Sequence, residues 1–487
     1  GKRRLLDVMC RYADYIASVF GPNPGQRYGT AGHEEIELAL VRLYRVTQNR
    51  RYLELSKFFL DQRGQKPSVF QREMEHLSPE DARINRHFFD KEDGFDTSYC
   101  QDHLPVREQS EVVGHAVRAM YLYTGMADVA VETEDDELLA ACRRLWDNVC
   151  RRRMYVTGGI GPSRKNEGFT EDYDLPNETA YAETCAAVGL IFWNQRMLHI
   201  DGEGRYADIV ERALYNGALS GVSLDGEKFF YINPLASRGD HHRQQWFGCA
   251  CCPPNIARLI ASLGGYIFSE NETDAFVHQY ISGQGELTVG ETPVTISLQS
   301  RYPWDGEIEV SVDPKKPIEF GLNLRIPGWC RTARLWVNGE EMDIAPLMRS
   351  GYARIHRKWQ AGDTVKLDLA MAIERIEAHP NVSQAAGCVA LQRGPIVYCV
   401  EQADNPVPLH RIVIPRSAEL KAVHDEELLG GIVKIQGEVL LVEDSDWEGD
   451  LYRFQSTKTR PYSVTAIPYY AWDHREPGQM RVWLRSL

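Results

Sequence analysis

Three of the cysteines crowd into one segment, Phe247-Gly-Cys249-Ala-Cys251-Cys252-Pro253-Pro254-Asn255. Upstream, Tyr181-Ala-Glu183-Thr-Cys185-Ala opens a strongly apolar stretch. Thiolates and a carboxylate are good zinc ligands, and a tetrahedral site needs four donors. Glu183, Cys185, Cys251 and Cys252 would supply them from two helix N-termini, where the helix dipole also favours the anionic thiolate. Pro253 and Pro254 suit a first helical turn, because the N–H that proline lacks has no partner there. A Cys-Cys pair is more often a buried hydrophobe than a pair of ligands, so spacing alone leaves both readings open.

Ahead of Glu183 lies a glycine-rich turn, Thr157-Gly-Gly-Ile-Gly161, followed by Glu167, Glu171, Asp172 and Asp174 and then Pro176-Asn177-Glu178. Carboxyl groups close in sequence to a thiolate suit a general acid paired with a nucleophile. Acidic residues ahead of a helix also cap it, and that alternative stands beside the first. Without a preceding strand and a lysine, the glycine turn is no phosphate loop. His33 and His115 each follow a glycine and enter a helical pattern, a setting that would project the ring into a central cavity.

These groups must be positioned by two halves of different period. Apolar residues recur at three- and four-residue spacings in 33–47, 51–62, 108–124, 136–150, 178–198, 205–219 and 254–268, which predicts helices. Short and long loops alternate between them, as in a toroid of helical hairpins. From about 271 the period falls to two, with strands expected at 275–281, 285–289, 294–299, 307–312, 318–326, 333–337 and 364–369. Turns such as Asn338-Gly339 separate them, as in a β-sandwich. A further β-rich stretch runs from about 401 to 487 and forms a second domain or completes the first. The chain opens directly in a helical pattern, and roughly eight helices are visible against the twelve of a complete (α/α)6 toroid. The first helices are therefore expected to be missing.

Composition narrows the function further. Hydrophobic residues at 43% and charged residues at 25% are the balance of a globular protein, and no apolar run is long enough to span a membrane. A net charge of -14 offers no basic stripe for nucleic acid. The 11 cysteines are odd in number and unlike a disulfide framework, which favours a reducing, cytoplasmic setting.

Four motifs, in order, resemble those of glycoside hydrolase family 127: Gly114-His115-Ala-Val-Arg118-Ala, Glu183-Thr-Cys185, Glu211-Arg-Ala-Leu-Tyr215-Asn216-Gly217 and Cys251-Cys252-Pro-Pro-Asn255. The resemblance implies an (α/α)6 barrel over 1–270, lacking its first helices, then β-sandwich domains over 271–400 and 401–487. It implies a retaining β-L-arabinofuranosidase-like enzyme acting on an oligosaccharide or glycoside. Cys251 would be the nucleophile, and Glu183, Cys185, Cys251 and Cys252 would bind Zn2+. The acid/base would be Glu167, in the context Asn166-Glu167-Gly-Phe169. Sugar contacts would fall on His33, His115, Glu211 and Tyr231, with Glu183 touching both zinc and a hydroxyl. The segment between Tyr231 and Cys249 is short for the family, which leaves the rim of the pocket, and so the sugar, open. Three roles stay open for the sandwich domains: glycan binding, formation of a homodimer, or buttressing the barrel. Two other readings compete, a sugar epimerase using His33 and His115 as acid and base, and a non-catalytic carbohydrate-binding protein with structural zinc.

Overall fold

Asp136–Arg152 shows how sequence becomes helix here. Leu138, Ala141, Cys142, Leu145, Trp146 and Val149 are buried at three- and four-residue spacing, so one stripe faces the interior. Asp135 caps the helix by accepting from the Leu138 amide at 2.9 Å. Asp136 and Glu137 occupy the first turn and Arg151 and Arg152 the last, matching the helix dipole.

The computed structural model describes residues 3–81, 83, 89–91, 94–445, 447, 449–454, 456 and 458–487. Two compact units divide the chain, one of residues 1–155 and 159–200, the other of 156–158 and 201–487. In the first unit the helices are α1 (Arg4–Val19), α2 (Ile36–Thr47), α3 (Arg50–Gln62), α4 (Val69–Met74), α5 (Ala116–Thr133), α6 (Asp136–Arg152) and α7 (Thr184–Asp201). α5 and α7 are buried on nearly every side. Glycines let them approach closely: a Cβ on Gly189 would stand 2.7 Å from Met120 Cβ, and one on Gly125 would stand 2.8 Å from Glu37 Cβ.

Two helix starts differ from the periodic expectation. The apolar pattern over 108–124 yields a helix only from Ala116, because Gly114 takes φ +71°, a left-handed conformation that a helix cannot absorb. The pattern over 178–198 yields one only from Thr184, after Ala182 at φ +38°. Both displaced starts put a candidate site residue, His115 or Glu183, at the head of its helix.

The second unit carries the helices α8 (Gly204–Arg212) and α9 (Cys252–Ser262), and from Phe268 onward it is dominated by sheets. A six-stranded sheet, running from Glu340–Met342 at one edge to Gly283–Val289 at the other, shares one hydrophobic core with a five-stranded sheet. Val294, Ile296, Leu298, Val310 and Leu367 of the first interleave with Val277, Phe320, Leu322 and Ile355 of the second, which makes a sandwich. The strand Tyr352–Trp359 has no counterpart among the expected ones. It pairs with Ile318–Arg325 along its whole length, but Arg357 interrupts the core-facing series of Ala353, Ile355 and Trp359 that would betray it. A ten-stranded sheet follows, and it already includes Ile373–Ile376, Cys388–Arg393 and Ile396–Glu401, ahead of the position near 400 suggested by the strand pattern.

The Glu211 motif turns out to be structural glue. Glu211 is 1% exposed. Its carboxylate accepts from Arg325 on both oxygens, from the Tyr302 hydroxyl on Oε1, and from Trp329 Nε1 at 2.9 Å on Oε2. Four donors fill the lone pairs of a carboxylate. The side chain fastens α8 to the sandwich. After α8 the helix widens into a π-turn, Ala213–Ala218. There buried Asn216 donates to Pro395 O at 3.0 Å and accepts from Val397 N at 2.8 Å, holding the ten-stranded sheet by its backbone. Removing one partner of a buried ion pair typically costs about 3–5 kcal/mol. Glu211→Ala should lower the urea unfolding midpoint by a corresponding amount at unchanged slope, and a variant as stable as the parent would refute this account.

Candidate active site

The site is best built outward from His115, which stands at the N-cap of α5. Its Nδ1 accepts from the Arg118 amide at 3.3 Å, so the ring proton is assigned to Nε2. Nε2 then donates to Glu167 Oε2 at 3.2 Å. Three aromatic neighbours fix the surroundings. Tyr99 meets the His115 ring edge-on at 5.5 Å, and His33 does so at 6.1 Å, with Tyr121 beyond His33 at 6.2 Å.

Glu167 is delivered by a tight loop. Ser163 and Gly168 exchange both backbone hydrogen bonds at 3.1 Å, and Asn166 Nδ2 ties the loop to Phe169 O at 3.0 Å. The loop then docks on the head of α5: Phe169 N donates to Gly114 O at 2.9 Å, and Ala116 N to Glu167 O at 3.1 Å. The approach is close enough to demand glycine, since a Cβ on Gly168 would sit 1.8 Å from Gly114 O. Glu167 itself takes φ +49° and leaves its side chain 36% exposed, open to a reacting partner. The neighbouring acid Asp172 is differently occupied. Arg153, Arg152 and Asn148 hold its carboxylate at 2.6, 2.9 and 3.1 Å, and these bonds help keep the carboxyl below its usual range. Capping and bracing explain that residue; they do not explain Glu167.

Glu183 lies 2% exposed just ahead of α7, its carbonyl accepting from the Ala186 amide at 3.0 Å. The backbone of Tyr181 and Ala182 is tied to Pro162 and Gly161 at 3.1 and 2.9 Å, so the glycine-rich turn carries the Glu183 segment. One carboxylate or ring donor each from His115, Glu167 and Glu183 lies within 4.8 Å of the others. Cys185 is buried in the first turn of α7.

Cys251 caps α9 and Cys252 begins it, with the prolines in the first turn as the sequence suggested. Their sulfurs stand 3.7 Å apart, and Cys251 Sγ is 3.4 Å from the Tyr231 hydroxyl. Tyr231 is braced in turn by Phe247, edge-on at 5.5 Å. The donor atoms of Glu183, Cys185, Cys251 and Cys252 also fall within 4.8 Å of one another. This set suits a soft divalent metal. Two thiolates bound to one tetrahedral zinc at about 2.3 Å would lie roughly 3.8 Å apart, close to the separation of the Cys251 and Cys252 sulfurs.

Behind His33 and Tyr99 sits a charged network that no motif announces. Arg63, fully buried, donates to Glu34 at 2.7 Å, Cys100 O at 2.6 Å, Thr30 Oγ1 at 2.8 Å and Ala31 O at 2.9 Å. It thus clamps the loop bearing His33 to the loop bearing Tyr99. Burial pushes the Glu34 carboxyl up to about 7 against the pull of Arg63 and Arg118. Arg118 reaches Gly32 O and lies over the Tyr99 ring at 5.0 Å. Its signal was present in the sequence, three residues after His115 and so on the same helical face. Arg63 had none, because its partners are distant in the chain. His241 and His242 belong elsewhere: the first stacks on Phe230 at 4.8 Å, and the second pairs with Asp473 at 2.7 Å.

A thiol and carboxyl cluster beside a histidine-held glutamate, ahead of β-sheet domains, is the equipment of a glycoside hydrolase, and comparison with known proteins specifies which kind. The family model for the GH127 β-L-arabinofuranosidase catalytic domain matches residues 1–265, the GH127 middle-domain model 274–371, and the family 127 C-terminal-domain model 373–485. The chain belongs to glycoside hydrolase family 127. It is 38% identical, over its full length and 75% of the relative's, to a non-reducing end β-L-arabinofuranosidase of Bifidobacterium longum subsp. longum. The crystal structure of a GH127 β-L-arabinofuranosidase from Geobacillus stearothermophilus T6 superposes with a TM-score of 0.96 at 50% identity, covering all of this chain and 77% of that one. A second GH127 β-arabinofuranosidase structure gives 0.89 at 38% identity, covering all of this chain and 74% of the other.

The Gly168–Gly114 contact leaves no room for a methyl group. Overpacking of this kind costs about 1–3 kcal/mol. Gly168→Ala should therefore lower the thermal midpoint and displace Glu167, reducing glycosidase activity more than the loss of folded protein explains. Unchanged melting would show that the loop has slack.

Proposed function

We propose that this chain removes terminal β-L-arabinofuranose from a glycan or glycoside with retention of configuration, using Cys251 as nucleophile and Glu167 as acid/base. The observation that carries the reading is the membership of Glu183 in two groups at once, the Glu183/Cys185/Cys251/Cys252 donor set and the His115/Glu167/Glu183 set. A nucleophile and a proton carrier on neighbouring sets are what a double displacement needs. The family and its β-L-arabinofuranosidase relatives support the choice of sugar. On the same grounds we assign the helices over 1–270 to an (α/α)6 barrel, followed by the β domains.

In the first step Cys251 sulfur attacks the anomeric carbon. The C–S bond forms as the C–O bond breaks, and Glu167 passes its proton to the departing oxygen. His115 Nε2 holds Oε2 of Glu167, which leaves Oε1 to carry that proton. In the second step Glu167 takes a proton from water, whose oxygen attacks the same carbon, and the C–S bond breaks to return the thiolate. Tyr231 lies within reach of the Cys251 sulfur and steadies it. Glu183, Cys185, Cys251 and Cys252 would hold Zn2+, which when bound keeps the thiols deprotonated and stabilises the sulfur as it leaves. His33, His115 and Glu183 are the proposed contacts to sugar hydroxyls.

Mass spectrometry of the protein after incubation with an activated aryl β-L-arabinofuranoside should find the sugar on Cys251. Labelling at another residue, or full activity in Cys251→Ser, would sink the assignment and favour chemistry run by the histidines. Glu167→Gln should lower kcat by about 10²–10⁴ on an unactivated glycoside. Metal analysis should find about one zinc per chain, lost on Cys185→Ser, as expected for a four-donor site; an active zinc-free protein would remove the metal from the account.

A further inference from the structure

A cavity of about 240 Å³ opens in the first unit beside the His115–Glu167 pair. Its walls include Phe70, Glu73, Met74, Phe89, Tyr99 and Arg118. Phe70 and Phe89 stack at 5.5 Å, giving the cavity a flat aromatic side. Glu73 and Arg118 give it a polar one. Tyr99 joins the cavity to the catalytic groups, because the same ring that lines it also meets His115 edge-on at 5.5 Å. Gly32, next to His33, completes the connection.

We infer that this cavity receives the ring of the leaving group, in a glycan the sugar that follows the scissile bond. The inference rests on Glu167 being the acid/base. A general acid that protonates the departing oxygen sits on the leaving-group side of the bond, so whatever adjoins it on that side faces the leaving group and not the sugar under attack. Tyr99 adjoins it, and Glu167 is among the charges that bear on the Tyr99 hydroxyl. The volume falls below the roughly 300–1,000 Å³ of sites for drug-sized ligands, which suits one ring and excludes an extended chain. Aromatic walls take the C–H face of a sugar ring, while Glu73 accepts and Arg118 donates to hydroxyls at its rim. The cavity thereby favours ring-bearing leaving groups over small alcohols.

Methyl and benzyl β-L-arabinofuranoside test this, since their alcohols are similar in acidity and differ in the ring. The native protein should hydrolyse the benzyl glycoside with a kcat/KM about tenfold higher, the scale of discrimination that a small apolar pocket provides. Met74→Trp, which fills the cavity, should erase that preference while leaving kcat/KM for the methyl glycoside within about twofold, as expected if only the leaving group occupies the cavity. Equal rates for the two glycosides in the native protein, or an equal fall for both in the variant, would overturn the inference. Calorimetric titration with the benzyl glycoside separates failure of the cavity from failure of the proposed activity. Affinity that falls in Met74→Trp to the level of the methyl glycoside supports the cavity even if neither compound is cleaved. Equal affinity in the variant and the native protein, or no binding to the native protein, refutes it.

Discussion

Much of this structure depends on one close backbone contact, where Gly168 lies against Gly114 and His115. Two hydrogen bonds cross it, from Phe169 N to Gly114 O and from Ala116 N to Glu167 O. Neither residue of the glycine pair can carry a side chain: a Cβ on Gly114 would in turn fall 2.0 Å from Ser98 O. The contact sets the distance between His115 and Glu167 without relying on the side chains themselves. It also fixes where α5 begins, and so which way the His115 ring points. The role proposed for Glu167 needs its carboxyl held to within a few tenths of an ångström, and backbone pairing does this more rigidly than surface side chains. Arg63 continues the frame outward by clamping the loops of His33 and Tyr99 with four hydrogen bonds.

The sequence was most legible where short motifs meet helix starts. Cys251-Cys252-Pro-Pro and Glu183-Thr-Cys185 read as ligands at two N-termini because proline, thiol and carboxylate each have a physical reason to be there, and the donors do come within 4.8 Å. Glu167 was separable from Glu171 and Asp172 only through its family context; in the structure the difference is bonding, since Asp172 is consumed by two arginines. Strand periodicity worked in the sandwich wherever polar and apolar residues alternate cleanly. It failed at Tyr352–Trp359, where Arg357 falls between the inward Ile355 and Trp359.

Glu211 shows a different limit. A carboxylate inside a family motif invites a ligand-binding reading, yet it is sealed among Arg325, Tyr302 and Trp329, more than 90 residues away in sequence. Nothing local announces this bonding, because its partners arrive only when the sandwich folds. The π-turn that follows is equally silent in sequence, although it places Asn216 against the backbone of Pro395 and Val397. Shared motifs in a multidomain chain thus record how its parts are fastened as well as what they catalyse.

Glu183 belongs to both donor sets, and this has a consequence for how the position can vary over evolutionary time. Cys185 answers to one set alone, so an exchange there has a single requirement to meet. On the assignments proposed above, Glu183 serves the thiol-rich set while remaining in register with His115 and Glu167. Aspartate, one methylene shorter, would draw the carboxylate back from both sets at once. On those assignments, sequence drift at Glu183 has to be matched by concerted change in two separate neighbourhoods, which makes it a less permissive position than Cys185 beside it.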